Sequence, residues 1–194
     1  MAMTGQPPAK SFSILYVCTG NICRSPLAER LTWLRLAQAV GAQAAGYKVS
    51  SQGTGGLVGR PMDAAAATQL RRLGGDPGGF AARALTVPEL QGADLILTAT
   101  RGHRSRVLEE EPRALRRTFT IREFADLVDG ATGRSPAELV AGAASRRADS
   151  RVRNYDIADP IGAPEALHAQ VADVIDTSVT VLVRALAATI TDAR

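Results

Sequence analysis

Five residues separate Cys18 from Arg24 in the stretch Cys18-Thr19-Gly20-Asn21-Ile22-Cys23-Arg24-Ser25-Pro26. A thiol and a guanidinium at that spacing suit one task, holding an oxyanion such as phosphate against a sulfur nucleophile. A short loop closing onto a helix start can aim several backbone N–H groups at one point. Gly20 permits backbone conformations closed to most residues, and Asn21 tolerates the left-handed region. Arg24 supplies a planar fork able to grip two phosphate oxygens. A sulfur among these positive dipoles is favoured as the thiolate, which is the nucleophilic form. Ser25 is read as the N-cap and Pro26 as the first turn of the following helix.

Moving a phosphoryl group from oxygen to sulfur also requires a proton for the leaving oxygen. Two carboxyl groups in Tyr155-Asp156-Ile157-Ala158-Asp159-Pro160-Ile161-Gly162 are candidates. Pro160 restrains the backbone of Asp159 and so fixes its direction.

These groups need elements to position them. The apolar run Ser11–Val17 predicts a strand buried on both faces, as in a parallel sheet. A helix follows over Pro26–Val40, with Leu27, Leu31 and Leu34 on one face and Trp33 at its core or rim. Tyr47–Ser51 reads as the second strand, and the glycine-rich segment from Ser51 to Asp63 as a flexible loop. Helix two covers Asp63–Leu73. Thr86 and Glu89 have capping-box spacing. Strand three is Asp94–Thr98, a helix spans Thr100–Glu111, strand four is Thr118–Ile121, and another helix begins at Arg122. Pro136 to about Arg146 and Pro164 to about Ala188 are the last helices. The final helix turns Val171, Val174, Ile175, Val179, Leu182 and Leu186 inward. Strands alternating with helices predict a three-layer α/β/α fold around a four-stranded parallel sheet of order 2-1-3-4.

The 194 residues suffice for one domain with a sizeable core. Residues 1–10 are expected to be a loose leader and 11–194 a single domain. The net charge of +4, from 23 basic and 19 acidic residues, suits an anionic substrate. Scarce aromatics and the lack of a nucleic-acid motif argue against a nucleic-acid partner. Two cysteines five apart are no secreted disulfide framework. No signal peptide is read at the N-terminus and no apolar run reaches spanning length, so membrane insertion is not expected and a cytoplasmic location is. His103 could serve as a base but is read as a surface histidine in a first helical turn, and His168 as exposed. The histidines are far apart in sequence and unaccompanied by cysteines, so no metal site is expected.

The Cys18–Pro26 string resembles the signature of the low-molecular-weight protein tyrosine phosphatases. The resemblance extends over residues 12 to 190, apart from an insertion near 129–153. It implies a cysteinyl-phosphate mechanism with Cys18 as nucleophile and Arg24 as phosphate grip. Thr19, Gly20, Asn21, Ile22, Cys23 and Ser25 form the phosphate-binding loop. Asp-Pro stands at the matching family position, which makes Asp159 the general acid/base and leaves Asp156 to cap or brace the loop. Asn21 would hold the loop's shape and Ser25 donate to the thiolate. No cofactor is implied, since Arg24 and the loop dipoles meet the charge.

Many members carry aromatics on the cleft walls; here Leu57 and Ile161 stand there. The Gly-Leu-Val-Gly pattern at 56–59 is similar to the bacterial subgroup linked to exopolysaccharide control, which acts on autophosphorylated tyrosine kinases. A phosphotyrosine protein is thus the implied partner. The resemblance also implies a reversible Cys18–Cys23 disulfide. In the insertion, Arg146, Arg147, Arg151 and Arg153 read as a solvated basic face, with docking of an acidic partner as the alternative. Two rival functions share the pattern: an arsenate reductase using an external thiol, and a phosphate- or phosphopeptide-binding module without turnover.

Overall fold

Strand β1 (Phe12–Cys18) runs through the middle of the sheet because both of its faces are apolar. Ile14 and Tyr16 pack into one hydrophobic layer, and Leu15 and Val17 into the other. The computed structural model of the chain describes residues 11–191, so the expected leader at 1–10 lies outside the described residues. Strand β2 (Tyr47–Gly53) pairs with β1 on one side, and β3 (Leu95–Thr98) on the other. β4 (Thr118–Thr120) pairs with β3. All pairings are parallel and the order is β2-β1-β3-β4, as the alternation of strands and helices predicts.

Helices cover both faces. α1 (Arg24–Val40), α2 (Ala64–Arg72), α5 (Ile121–Val128), α6 (Pro136–Ser145) and α7 (Glu165–Thr191) bury the larger layer. α3 (Val87–Gly92) and α4 (Arg101–Glu110) cover the smaller one through Leu90 and Val107. The chain leaves β1 toward β2 and later returns to β3 on the opposite side. Between β1 and β3 is therefore the switch point where a crevice opens beyond the strand ends. The loop after β1 lies there.

Several expectations change. α1 starts at Arg24, and Cys23 occupies the cap position without a side-chain bond. Ser25 is thus inside the first turn and is not the cap. Thr86 makes no side-chain cap bond, whereas Thr120 and Glu123 form a complete capping box at α5. The segment after β2 is not free: Gly59 donates to the Ala82 carbonyl and Ala82 to that of Arg60. Of the arginines at 146–153, Arg146, Arg151 and Arg153 are exposed, as a solvated face requires, while Arg147 is half-buried. Arg147 lies 4.3 Å over the Phe119 ring and donates to the Thr118 carbonyl. Arg146 donates to the Leu127 carbonyl, and Arg151 approaches Asp126 at 3.7 Å. They lace α6 and the turn behind it to β4 and α5.

Candidate active site

The loop 18–23 is shaped by the segment that follows β2. Thr54, Gly55, Leu57 and Asp63 donate their N–H groups to the carbonyls of Cys18, Thr19, Gly20 and Ile22, at 2.8–3.0 Å. Across a trans peptide the N–H points opposite to the C=O. The N–H groups of Thr19, Gly20, Asn21 and Cys23 therefore face the concave side, and the start of α1 adds its own orphan donors. The left-handed turn within the loop falls on Asn21, at φ 54°. Gly53 permits the close approach: a Cβ there would sit 2.3 Å from the Thr19 carbonyl oxygen.

Donor bookkeeping constrains the hydroxyl directions around Cys18. Ser51 Oγ donates to Glu29 Oε2 at 2.6 Å and so accepts from Asn21 Nδ2 at 2.8 Å. The other Nδ2 hydrogen goes to Ser25 Oγ at 2.9 Å. Ser25 Oγ, with one proton of its own, faces Cys18 Sγ at 2.9 Å and the Gln52 carbonyl at 3.5 Å, and the shorter contact is the one that would serve a thiolate. Asn21 Oδ1 accepts from the Arg83 N–H, and Arg83 also pairs with Glu29 at 2.8 Å. Burial pushes the Glu29 carboxyl up, against the opposing Ser51 bond and the Arg83 charge. Asn21, Ser25, Ser51, Glu29 and Arg83 thus form one framework beneath the sulfur.

Arg24 is buried, and its Nη2 meets Asp159 Oδ2 at 2.7 Å. Its Nη1 donates to the Ile157 carbonyl. The loop carrying Asp159 is fastened to the end of β3 by Ile157 N–H to the Ala99 carbonyl, 2.9 Å. Asp156 braces it from outside, accepting from the Arg101 backbone and side chain. Those bonds outweigh burial and hold its carboxyl below the usual range. Cys18, Thr19, Gly20, Ile22, Cys23, Arg24, Asp159, Leu57 and Ile161 line one cavity of about 250 Å³. The carboxyl, the guanidinium and the sulfur thus share it, between aliphatic walls.

His168 differs from the sequence reading, whereas His103 lies in the first turn of α4 as expected but is half-buried. His103 stands against the loop: its Nε2 lies 2.9 Å from Thr19 Oγ1 and its Nδ1 2.7 Å from Thr100 Oγ1. Each ring nitrogen faces a threonine hydroxyl, so the neutral ring donates through one nitrogen and accepts through the other. Burial and the nearby Arg24 charge push this imidazole down to about 4. His168 is buried beside Cys23 and Asp63, so histidine and cysteine are remote in sequence yet adjacent in space. Burial, with Asp63 adding to it, pushes the Cys23 thiol up. The C-terminal ends of parallel strands share one rim, so the segment after β3 had to face the loop after β1. That was the signal available for His103.

Residues 13–135 match the profile of the low molecular weight phosphotyrosine protein phosphatases. The chain belongs to this family. Etp of Escherichia coli K12, a low molecular weight protein-tyrosine-phosphatase, is 40% identical over 112 residues, spanning 58% of this chain and 70% of Etp. A protein-arginine-phosphatase of Geobacillus stearothermophilus is 28% identical over 166 residues, 86% of this chain and 90% of that protein. Among solved structures, the low molecular weight protein tyrosine phosphatase of T. tengcongensis superposes with a TM-score of 0.70 at 26% identity, covering 90% of this chain and 99% of that one.

Proposed function

We propose that the chain hydrolyses phosphomonoesters, phosphotyrosine in proteins foremost, through a cysteinyl-phosphate intermediate. The observation that carries this reading is the meeting of Cys18, Arg24 and Asp159 around one cavity. Cys18 Sγ attacks phosphorus while Arg24 and the loop N–H groups hold the equatorial oxygens. The P–O bond to the leaving group breaks, and Asp159 gives that oxygen its proton. Water then attacks the phosphorus of the thiophosphate, Asp159 takes its proton, and the S–P bond breaks to return the thiolate and free phosphate. Leu57 and Ile161 offer apolar contact to an aryl group without stacking.

Residues 11–194 act as one phosphatase unit with an insertion at 129–153, in the cytoplasm, on substrates that include an autophosphorylated bacterial tyrosine kinase. Among the described residues no helix is long and apolar enough to cross a membrane. The relative named an arginine phosphatase makes phosphoarginine the substrate to exclude.

The test measures phosphate release from p-nitrophenyl phosphate, phosphotyrosine peptides and phosphoarginine peptides, beside thiol-dependent arsenate reduction. Phosphotyrosine turnover is expected, abolished by Cys18→Ser and lowered at least about 10²-fold in kcat by Asp159→Asn. Arsenate reduction without ester hydrolysis, binding without turnover, or a preference for phosphoarginine would each overturn the reading.

A further inference from the structure

Behind the anion loop, three side chains from separate elements meet. Cys23 ends the loop, Asp63 caps α2 and His168 lies in the first turn of α7. Their sulfur, carboxylate oxygen and ring nitrogen all lie within 4.8 Å of one another. His168 is 5% exposed, and its Nδ1 is buried without a hydrogen-bond partner. That nitrogen faces Asp63 Oδ1 at 4.0 Å. Asp63 is held in place by accepting the N–H groups of Ala65 and Ala66 on the same oxygen. A buried ring nitrogen of this kind calls for a partner.

We propose that Cys23 Sγ, an Asp63 carboxylate oxygen and His168 Nδ1 form a three-ligand site for a borderline-soft divalent cation of the zinc class. Sulfur, imidazole and carboxylate together are the zinc donor set, whereas calcium and magnesium take oxygen. Bonds of about 2.0–2.3 Å in a tetrahedron put ligand atoms roughly 3.3–3.7 Å apart. The observed spacing closes to this with side-chain movements of about 1 Å. The site is reachable: Cys23 lines the catalytic cavity, and His168 lines a neighbouring one of about 310 Å³ with Thr68, Gln69 and Glu165. Water takes the fourth position. Binding exchanges the Cys23 thiol proton for the metal, with the proton released to solvent. A metal there ties up the sulfur that a disulfide with Cys18 would use. That last consequence rests on the proposed role of Cys18; the metal site does not.

Cobalt is the probe, added to the Cys18→Ser protein so that the only other thiol is absent and no turnover is needed. One equivalent is expected to bind with a thiolate-to-cobalt charge-transfer band, bleached by zinc. Adding Cys23→Ser should remove the band. His168→Gln should weaken binding at least about tenfold, and so should Asp63→Asn, which keeps the α2 cap. Circular dichroism checks that each variant folds. The absence of a band at saturating cobalt, or a band unchanged by both His168→Gln and Asp63→Asn, overturns the site.

Discussion

His103 links the two halves of the rim, since one imidazole touches both the loop after β1 and the cap of α4. It is held neutral, pushed down to about 4 from an ordinary 6.5. The unfolded chain therefore takes up this proton first as pH falls. The contribution is fully present above about pH 6.5 and is lost on the way down to about 4. His103→Gln should flatten the fall of Tm across that window while lowering stability at pH 7 by about 1 kcal/mol. An unchanged Tm-against-pH slope would remove the imidazole from the account. At Cys23, peroxide is expected to inactivate the enzyme and thiols to restore it. Cys23→Ser should recover less completely, measured as residual phosphatase activity, and equal recovery would reject the protective disulfide.

Between elements, what counts is how closely β2 and its loop approach the anion loop. Gly53→Ala would drive a Cβ into the Thr19 carbonyl, a backbone atom that cannot swing aside. The expected cost is about 1–3 kcal/mol in chemical denaturation, with a parallel loss of kcat/KM. A variant as stable and active as wild type would show that the close approach is dispensable. The same contact explains what the sequence could reveal. The strands, most helices and the Cys18–Arg24 spacing are local patterns with local causes. The framework of Ser51, Glu29 and Arg83 is not, because its members are brought together by sheet register and loop return. Gly53 read as flexibility for the same reason: its partner, the Thr19 carbonyl, is remote in the chain. Thr86 had the right spacing for a capping box but its side chain was not recruited, whereas Thr120 and Glu123 do form one.

Across the whole molecule, the groups assigned to chemistry gather at one edge of the sheet, and both helical layers serve to hold that edge. Of the arginines after α6, Arg147 turns inward onto Phe119 and Thr118 and Arg146 reaches the Leu127 carbonyl, while Arg151 and Arg153 stay exposed. One positive charge is placed where it is costly, on the buried Arg24. Its partner Asp159 has a side chain 52% exposed, so solvent screens the pair and about 1 kcal/mol is a fair upper figure for it. An entering phosphoryl group can displace so weak a bond. The same contest recurs after each cycle: hydrolysis leaves Asp159 holding the proton taken from water, and once that proton passes to solvent the carboxylate and orthophosphate both seek one guanidinium nitrogen. Asp159 then works as an ejector, and Asp159→Asn should retain inorganic phosphate more tightly than wild type by calorimetry. Equal affinities would mean that the product departs unaided.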